Sequence, residues 1–212
     1  MNAHAIESYS PWGNIRQPAN DNRLPTARPS MIGLTGLRNV GKSTVANLLE
    51  KEYAFTKCHA FDAGKEAAEA YFCAIGADSE TAWEMVYGDL KDQPSEYLPG
   101  GVAPRYFLER FGKFMGVDMG VEWTLGAEIT AARTRKPGRL IVVESLVYEA
   151  DWFRSQGGLV VRLERPGHVG PIGVESDAVQ ALVKADVTIS ATSVAELERE
   201  TRMMVQQVFG GG

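Results

Sequence analysis

The stretch that most constrains this chain is "GLRNVGKST" (36–44), which directly follows the apolar run "MIGLT" (31–35). It fits the pattern G-x-x-x-x-G-K-[ST], with Gly36, Gly41, Lys42 and Ser43 at the defined positions. The glycines let the backbone wrap so that successive N–H groups point at phosphate oxygens, and the N-terminus of the following helix adds partial positive charge. The pattern therefore predicts a buried strand, a phosphate-binding loop and a helix, in that order.

The polar side chains of this loop have expected tasks. Lys42 would neutralise the β and γ phosphates of ATP, and the Ser43 hydroxyl would ligate Mg²⁺. The alternative, a glycine turn that only starts a helix, leaves the adjacent lysine and serine without a packing purpose. We therefore predict ATP and Mg²⁺ as cofactors, held by Gly36, Asn39, Val40, Gly41, Lys42, Ser43 and Thr44.

Apolar runs of strand length recur along the chain and alternate with amphipathic helical patterns. This alternation is typical of an α/β fold with a buried parallel sheet, and 212 residues suit one domain. The last helix is expected to start after Ser193, with Glu196 in capping-box spacing and an apolar stripe beyond it. The five predicted strands are 31–35, 56–61, 139–144, 159–163 and 187–190.

The interval between the second and third predicted strands is an anomaly. It is far longer than the roughly 10 to 12 residues that a simple crossover needs, so we predict a functional insertion there. One of its helices is expected to start at Pro104, because a proline at the first helical position gives up an N–H that would be unpaired anyway. We interpret the phenylalanine stripe of that helix as core rather than as a base-stacking platform. The stripes of the insertion are Trp83, Val86, Tyr87 and Leu90, then Phe107, Phe111 and Phe114.

Charge, cysteine content and hydropathy exclude several classes of protein. There are 22 Lys and Arg against 27 Asp and Glu, so the net charge of −5 argues against a surface that grips nucleic acid as a whole, although a local basic groove is left open. The chain has only two cysteines, Cys58 and Cys73, so we expect no disulfide framework. We find neither a run of roughly 18 apolar residues nor a signal-peptide pattern, so we expect a cytoplasmic protein without a membrane partner. Residues 1–30 are expected to form a loosely ordered arm.

Missing motifs narrow the choice among nucleotide-binding proteins. A GTPase would need N-K-x-D and D-x-x-G strings, and neither occurs in this sequence. No stretch is similar to the L-S-G-G-Q signature of transporter ATPases. A large insertion after the second strand and a short arginine-bearing loop after the fourth are instead typical of small-molecule kinases.

Over about residues 31 to 197 the chain resembles the phage-type deoxynucleoside monophosphate kinases of the P-loop kinase superfamily. The resemblance is carried by "GLRNVGKSTVANLL", "FDAGKEA", "APRYFLERFG", "YEADWFRSQGGLVVRLERPG" and "ADVTIS", in that order. It implies a five-stranded parallel sheet of order 2-3-1-4-5 flanked by helices, with a helical acceptor-binding insertion at about 62–135 and a short lid at about 165–177. It also implies a role in phage nucleotide metabolism, in the cytoplasm of the bacterial host.

The sequence departs from this family at two places. Members show an Asp-x-Arg-Phe string before a Glu-Ala pair, whereas "VVESLVYEA" here offers Val143, Ser145 and Leu146. An arginine expected to meet the acceptor phosphate is therefore missing. Ser43 also replaces the aspartate that often follows the loop lysine. These departures weaken the prediction of the acceptor more than the prediction of ATP as the donor.

The implied strand order adds Glu144 to the site, and the insertion and the lid add three cations. Glu144 would lie at the carboxyl end of the third strand, beside the phosphate loop, as a second Mg²⁺ ligand; the alternative is a solvated carboxylate. Arg105 could hold an acceptor phosphate bidentately, or form a surface ion pair. Arg165 resembles a lid arginine that steadies the transferring group, and by the same resemblance Lys65 should face the acceptor.

Asp62 has two interpretations. If the acceptor is a hydroxyl, this carboxylate could remove its proton as a general base and would also contact the acceptor. If the acceptor is an ionised phosphate, no base is needed, and Asp62 could simply cap the next helix. The catalytic residues predicted for this chain are Lys42, Asp62 and Arg165, and the acceptor-binding residues are Asp62, Lys65 and Arg105.

The sequence as a whole predicts Mg²⁺-dependent transfer of the ATP γ-phosphoryl group to a deoxynucleoside monophosphate. One alternative is a kinase for the hydroxyl of a 5-hydroxymethylpyrimidine, in phage DNA or in its nucleotide. Another, of a different class, is a nucleotide-binding regulatory module without turnover. The expected partner is a nucleotide or modified-base substrate, with DNA as a substrate and a homodimer left open.

Overall fold

The computed structural model describes residues 29–169 and 175–210. Nearly all of the predicted arm, and residues 170–174 of the predicted lid, lie outside them. The strands are β1 (Met31–Thr35), β2 (Thr56–Cys58), β3 (Ile141–Val143), β4 (Gly158–Glu164) and β5 (Val187–Ser190). The helices are α1 (Lys42–Tyr53), α2 (Asp62–Ala74), α3 (Ser79–Tyr87), α4 (Pro104–Lys113), α5 (Val121–Arg135), α6 (Ala150–Ser155), α7 (Glu175–Leu182) and α8 (Val194–Phe209).

The five strands form one parallel sheet in the order β2-β3-β1-β4-β5. Met31 of β1 is paired with Ile141 on one side and with Gly158 on the other, so β1 is central. This order, with a glycine loop between β1 and α1, is the P-loop kinase fold, and the prediction of fold class is confirmed. The loop and the ends of β2 and β3 therefore lie at one edge of the sheet.

Two strands are shorter than predicted. β2 ends at Cys58 because the next residues turn, with the backbone N–H of His59 donating to the Asp62 carboxylate at 2.9 Å. β3 ends at Val143, and the N–H of Glu144 still donates to the Cys58 carbonyl at 2.9 Å. The apolar run of each strand therefore continues into loop at the carboxyl edge.

Separate cores cover the two faces of the sheet. Leu34, Leu49, Phe55 and Met204 belong to the face packed under α1 and α8. Leu125, Val143 and Phe153 belong to the opposite face, under α5 and α6. Such double coverage explains why the strands read as continuous apolar runs rather than as alternating ones.

The insertion between β2 and β3 has a core of its own. The insertion contains α2 to α5, short 3₁₀ turns at Asp89–Asp92 and Pro99–Gly101, and a π-helical turn at Phe114–Asp118. Phe107 and Phe111 pack partly buried against this core, as predicted. The prediction was wrong for Phe114, which is 47% exposed, because the chain leaves the α-helical register there. Trp83 and Tyr87 of the other stripe are also exposed, since α3 turns Met85 and Val86 inward.

The cysteines are both free thiols. Cys58 is buried, which raises the pKa of its thiol to about 12 and keeps it uncharged and unreactive. Cys73 is exposed on α2. In the described part of the chain, no helix combines the length and the apolar character that a bilayer crossing requires.

Candidate functional site

The loop between β1 and α1 has a backbone that only glycine fits at two positions. Gly36 has a φ of 131°, and a Cβ there would lie 2.4 Å from the carbonyl oxygen of Leu163. Gly41 has a φ of 110°, and a Cβ there would lie 2.6 Å from a methyl carbon of Leu197. The glycines of the motif are thus needed for the loop's path and for its close approach to β4 and α8.

The start of α1 is left open for a ligand. Gly41 is the residue before the helix, and it makes no side-chain cap hydrogen bond to the first turn. The ammonium of Lys42 lies inside the loop, where it donates to the carbonyl oxygens of Gly36 at 2.6 Å and Leu37 at 2.9 Å. Uncapped N–H groups beside a held cation form an anion site, because both bind negative charge.

A cavity of about 420 Å³ opens beside the loop at the carboxyl edge of the sheet. The insertion forms its other wall, and its lining carries an excess of positive charge. Ligands of open parallel sheets bind in this kind of crevice. The cations are Arg38, Lys42, Lys65, Lys91, Arg105 and Lys113, and the carboxylates are Glu109, Glu144 and Glu149.

The two predicted magnesium ligands line this same cavity. Ser43 lies on the first turn of α1, and Glu144 follows β3, the neighbour of β1. One hydroxyl and one carboxylate suit Mg²⁺, which takes oxygen ligands and keeps several waters. Among the residues that the structure describes, no group of three or more His, Cys, Asp or Glu could hold a metal by itself.

The predicted acceptor residues Lys65 and Arg105 also line the cavity, from α2 and α4. Lys65 is paired with Asp62 at 3.1 Å. Arg105 forms a bidentate pair with the exposed Asp92, whose second oxygen accepts from the guanidinium at 2.7 Å. The ion pair considered for Arg105 is therefore present, and it holds the guanidinium at the cavity wall.

Asp62 is placed differently from what a general base requires. It starts α2, but it is not among the described residues that line the cavity. One carboxylate oxygen accepts from the backbone N–H of His59 at 2.9 Å, and the other accepts from Lys65. Its observed task is to fix the turn between β2 and α2.

Arg165 lies on the other side of the phosphate loop. It lines a recess of about 170 Å³ between the loop and the turn from β5 to α8, together with Asn39, Thr44 and Thr192. It is not among the described residues that line the larger cavity. Near it, the Nε2 atom of His168 lies 2.8 Å from the carbonyl oxygen of Arg38 and so links the segment after β4 to the loop.

Sequence reasoning missed Lys91, which lies in the 3₁₀ turn after α3 and lines the cavity. Burial lowers the pKa of its ammonium, and the nearby Arg105 and Lys65 lower that pKa further. Three cations held this close favour an anionic ligand. A lone lysine in "GDLKDQ" carries no sequence signal for this role, since only the packing of the insertion brings it to the cavity.

A carboxylate on the cavity wall was also missed. Glu149 is buried, it accepts from the backbone N–H of Val147 at 2.8 Å, and burial raises the pKa of its carboxyl group. The sequence signal was present, because Glu149 belongs to the "YEADWF" string of the resemblance. Nearby, the buried amide of Gln180 donates to the Ser145 hydroxyl at 3.0 Å and ties α7 to the loop that carries Glu144.

No protein-family model matches the sequence, and no curated protein matches it either. Among solved structures, the chain is similar to a dephospho-CoA kinase from Campylobacter jejuni, with 16% sequence identity and a TM-score of 0.44. The likeness covers 86% of this chain and 98% of that chain. So loose a likeness carries no conclusion about function. The fold assignment rests on the strand order and on the loop between β1 and α1.

Proposed function

We propose that this protein is a kinase that transfers the γ-phosphoryl group of ATP to a deoxynucleoside monophosphate with the help of Mg²⁺. The observation that carries the proposal is the cation-lined cavity that joins the phosphate loop to the insertion. Phosphoryl transfer depends on positioning and on neutralising charge, with little covalent chemistry for the protein to perform. A donor loop and an acceptor wall that face one cavity meet that need.

On the donor side, the loop amides and Lys42 would hold the phosphates of ATP. Ser43 and Glu144 would hold Mg²⁺, which on binding neutralises charge on the phosphate oxygens. The recess that contains Thr192 and Arg165 adjoins the outer side of the loop and would receive the nucleoside part of ATP. In this arrangement Arg165 would contact the donor nucleotide rather than the acceptor.

On the acceptor side, Lys65, Lys91 and Arg105 would hold the phosphate of the monophosphate. Their side chains come from three separate elements and converge on one cavity wall. They supply the positive charge that the missing arginine of "VVESLVYEA" leaves out. The resemblance to phage-type kinases supports a deoxynucleotide as the acceptor, and the ionised phosphate needs no general base.

A second candidate acceptor is the hydroxyl of a 5-hydroxymethylpyrimidine, in a nucleotide or in DNA. The observation that favours it is Glu149, a cavity carboxylate whose pKa is raised by burial. A raised pKa makes this carboxylate a stronger base toward a hydroxyl proton, as general base catalysis requires. In this candidate Glu149 takes the role that the sequence suggested for Asp62.

The test is a coupled assay of ADP release with Mg²⁺ and ATP. The acceptors are dAMP, dGMP, dCMP, dTMP and DNA that contains hydroxymethylpyrimidines, with ATP alone as the background. Turnover with a monophosphate supports the proposal, and turnover only with the modified DNA supports the second candidate. Silence on every acceptor, with ATP still bound, would contradict both and favour a regulatory module.

A further inference from the structure

His59 lines the cavity and has no role in the function proposed above. It directly follows β2, and the neighbouring strand β3 leads into Glu144, whose N–H donates to the Cys58 carbonyl. Next to β3 is β1, which carries the phosphate loop. His59 therefore lines the cavity on the acceptor side of the predicted magnesium ligand.

A tight turn fixes the imidazole ring. The N–H of Asp62 donates to the His59 carbonyl at 3.2 Å, and the N–H of His59 donates to the Asp62 carboxylate at 2.9 Å. The N–H of Phe61 donates to the Nδ1 atom of the ring at 3.0 Å. The string "HAFD" thus holds its own first side chain in one orientation.

The same contacts decide where the ring carries its proton. Nδ1 accepts a hydrogen bond and so carries no proton, which places the proton of the neutral ring on Nε2. Within the described ranges, Nε2 has no hydrogen-bond partner. The ring therefore presents a neutral N–H donor to the cavity.

The surroundings keep the ring neutral. Burial is the main cause that lowers the pKa of His59, to about 3, and the positive charges of Lys65, Lys42 and Lys91 add to it, while Asp62 opposes them. Protonation would also place a second proton on Nδ1, against the Phe61 N–H. The donor is therefore present throughout the physiological pH range.

We propose that His59 is an acceptor-binding residue whose Nε2–H donates to a phosphate oxygen of the bound monophosphate. The inference rests on the proposed function and names a residue that sets the position of the acceptor. Lysines in this cavity supply charge through long, flexible side chains. A neutral ring held by its own turn supplies a donor in a fixed direction instead, which costs little entropy to order.

Two substitutions separate the two ends of the ring. In His59→Asn, the amide oxygen takes the place of Nδ1 and keeps the Phe61 contact, but the distal donor is lost. In His59→Gln, an amide N–H takes the place of Nε2, while the contact with the turn is lost.

We expect His59→Asn to raise the KM of the acceptor about 10-fold or more, as for the loss of a hydrogen bond to a charged group. We expect His59→Gln to stay within about 3-fold, and the KM of ATP to change little in either variant. The reverse order, with glutamine worse than asparagine, would mean that His59 acts only by holding the turn.

A direct measurement on the wild-type chain covers the case of variants that do not fold. In protein labelled with ¹⁵N-histidine, the Nε2–H signal missing from the His59→Asn spectrum is followed while each of the four monophosphates, or ATP with Mg²⁺, is added. A shift with a monophosphate, and none with ATP, supports the inference even in a protein without turnover. An active enzyme whose Nε2 signal stays in place overturns the inference and leaves the proposed function standing. An inactive enzyme with an unmoved signal overturns both.

Discussion

Lys42 is held within the loop that the proposal assigns to ATP. Its ammonium donates to two carbonyl oxygens of the loop, Gly36 and Leu37, and charged phosphate oxygens are stronger acceptors than these carbonyls. Removing the ammonium leaves the phosphate charge without its nearest cation. We expect Lys42→Ala to lower kcat/KM at least about 100-fold, measured by ADP release. The matched control is Lys51→Ala, which removes an exposed lysine from the last turn of the same helix and should leave activity unchanged. Full activity in Lys42→Ala would refute the site.

A substitution at Asp62 tests whether its carboxylate acts as a general base or only holds its turn. Asp62→Asn keeps an oxygen that can accept from the His59 N–H, but it removes the negative charge beside Lys65. Since a phosphate acceptor needs no base and this carboxylate faces its own turn, we expect kcat to fall less than about 10-fold. General base catalysis contributes about 10² to 10⁴, so a loss of 100-fold or more in folded protein would instead make Asp62, rather than Glu149, the base for a hydroxyl acceptor. Circular dichroism provides the check on folding.

At the scale of elements, one hydrogen bond joins two helices of the insertion, α2 and the helix α5 that covers one face of the sheet. The buried carboxylate of Glu128 on α5 accepts from the backbone N–H of Ala63 in the first turn of α2, at 2.7 Å. Glu128→Ala leaves that N–H without a partner, so we expect a loss of about 1–3 kcal/mol in the free energy of unfolding. Glu128→Gln keeps an oxygen acceptor and should lose less. Urea unfolding at pH 7 measures both, and equal stability of the alanine variant and the wild type would mean that this contact does not hold α2 in place.

The pH dependence of the same pair follows from the carboxyl group. Burial raises the pKa of Glu128 above its unfolded value, with Asp62 adding to the effect and the Ala63 N–H opposing it. The native state therefore binds this proton more readily than the unfolded state, and the group's contribution to stability falls as the pH rises through the raised pKa. Glu128→Gln has no such proton, so its stability relative to the wild type should be higher at pH 7 than at pH 4. If the stability difference between Glu128→Gln and the wild type is the same at pH 4 and pH 7, the pKa of Glu128 is not raised in the native state.

Helices and strands could be predicted from the sequence where the local residue pattern agrees with the way the element packs. β1 and β5 match the predicted ranges, and α8 begins after Ser193, whose hydroxyl accepts from the Glu196 N–H at 3.2 Å. The other half of the expected capping box differs, because the Glu196 carboxylate accepts from the N–H of Thr192 rather than from that of Ser193. The aromatic stripes of the insertion were less predictable, since periodicity gives an apolar face but not which part of it another helix covers. Phe114 is exposed because the chain leaves the α-helical register at that residue, which periodicity does not give either.

At the scale of the whole molecule, some residues of the site could be predicted from the sequence and others could not. That Lys42 and Ser43 line the cavity was predictable because both belong to one local motif, and Glu144 because the strand order places it beside that loop. Lys91 was not, because its place depends on how a separately packed insertion closes on the sheet. His59 was not, because the predicted second strand ran on to residue 61 and included it, whereas β2 ends at Cys58. The net charge of −5 also hid a cavity that is locally positive. A sum over the surface says little about a crevice in which the field is concentrated.

The stability of the whole fold should depend on acid because His59 is neutral in the native state. The unfolded chain binds a proton on His59 near pH 6.5, whereas the native state resists it until about pH 3. Stability should therefore fall as the pH drops below about 6.5, with this residue contributing at most about 1.4 kcal/mol per pH unit. The raised pKa values of Glu128 and Glu149 act in the opposite direction, but they are the same in a His59 variant. The difference between wild type and variant thus isolates the histidine.

We expect His59→Asn and His59→Gln to lose less stability than the wild type between pH 7 and pH 4.5, as measured by urea unfolding at a series of pH values. The reason is that neither amide takes up a proton on unfolding, whereas the imidazole does. Lys65, Lys42 and Lys91 surround the ring in all three proteins, so their repulsion bears on a proton only where the histidine is present. Parallel stability curves for the three proteins would show that the native ring protonates as freely as the unfolded one. The Nε2–H would then no longer be the fixed neutral donor from which its contact with the acceptor was inferred.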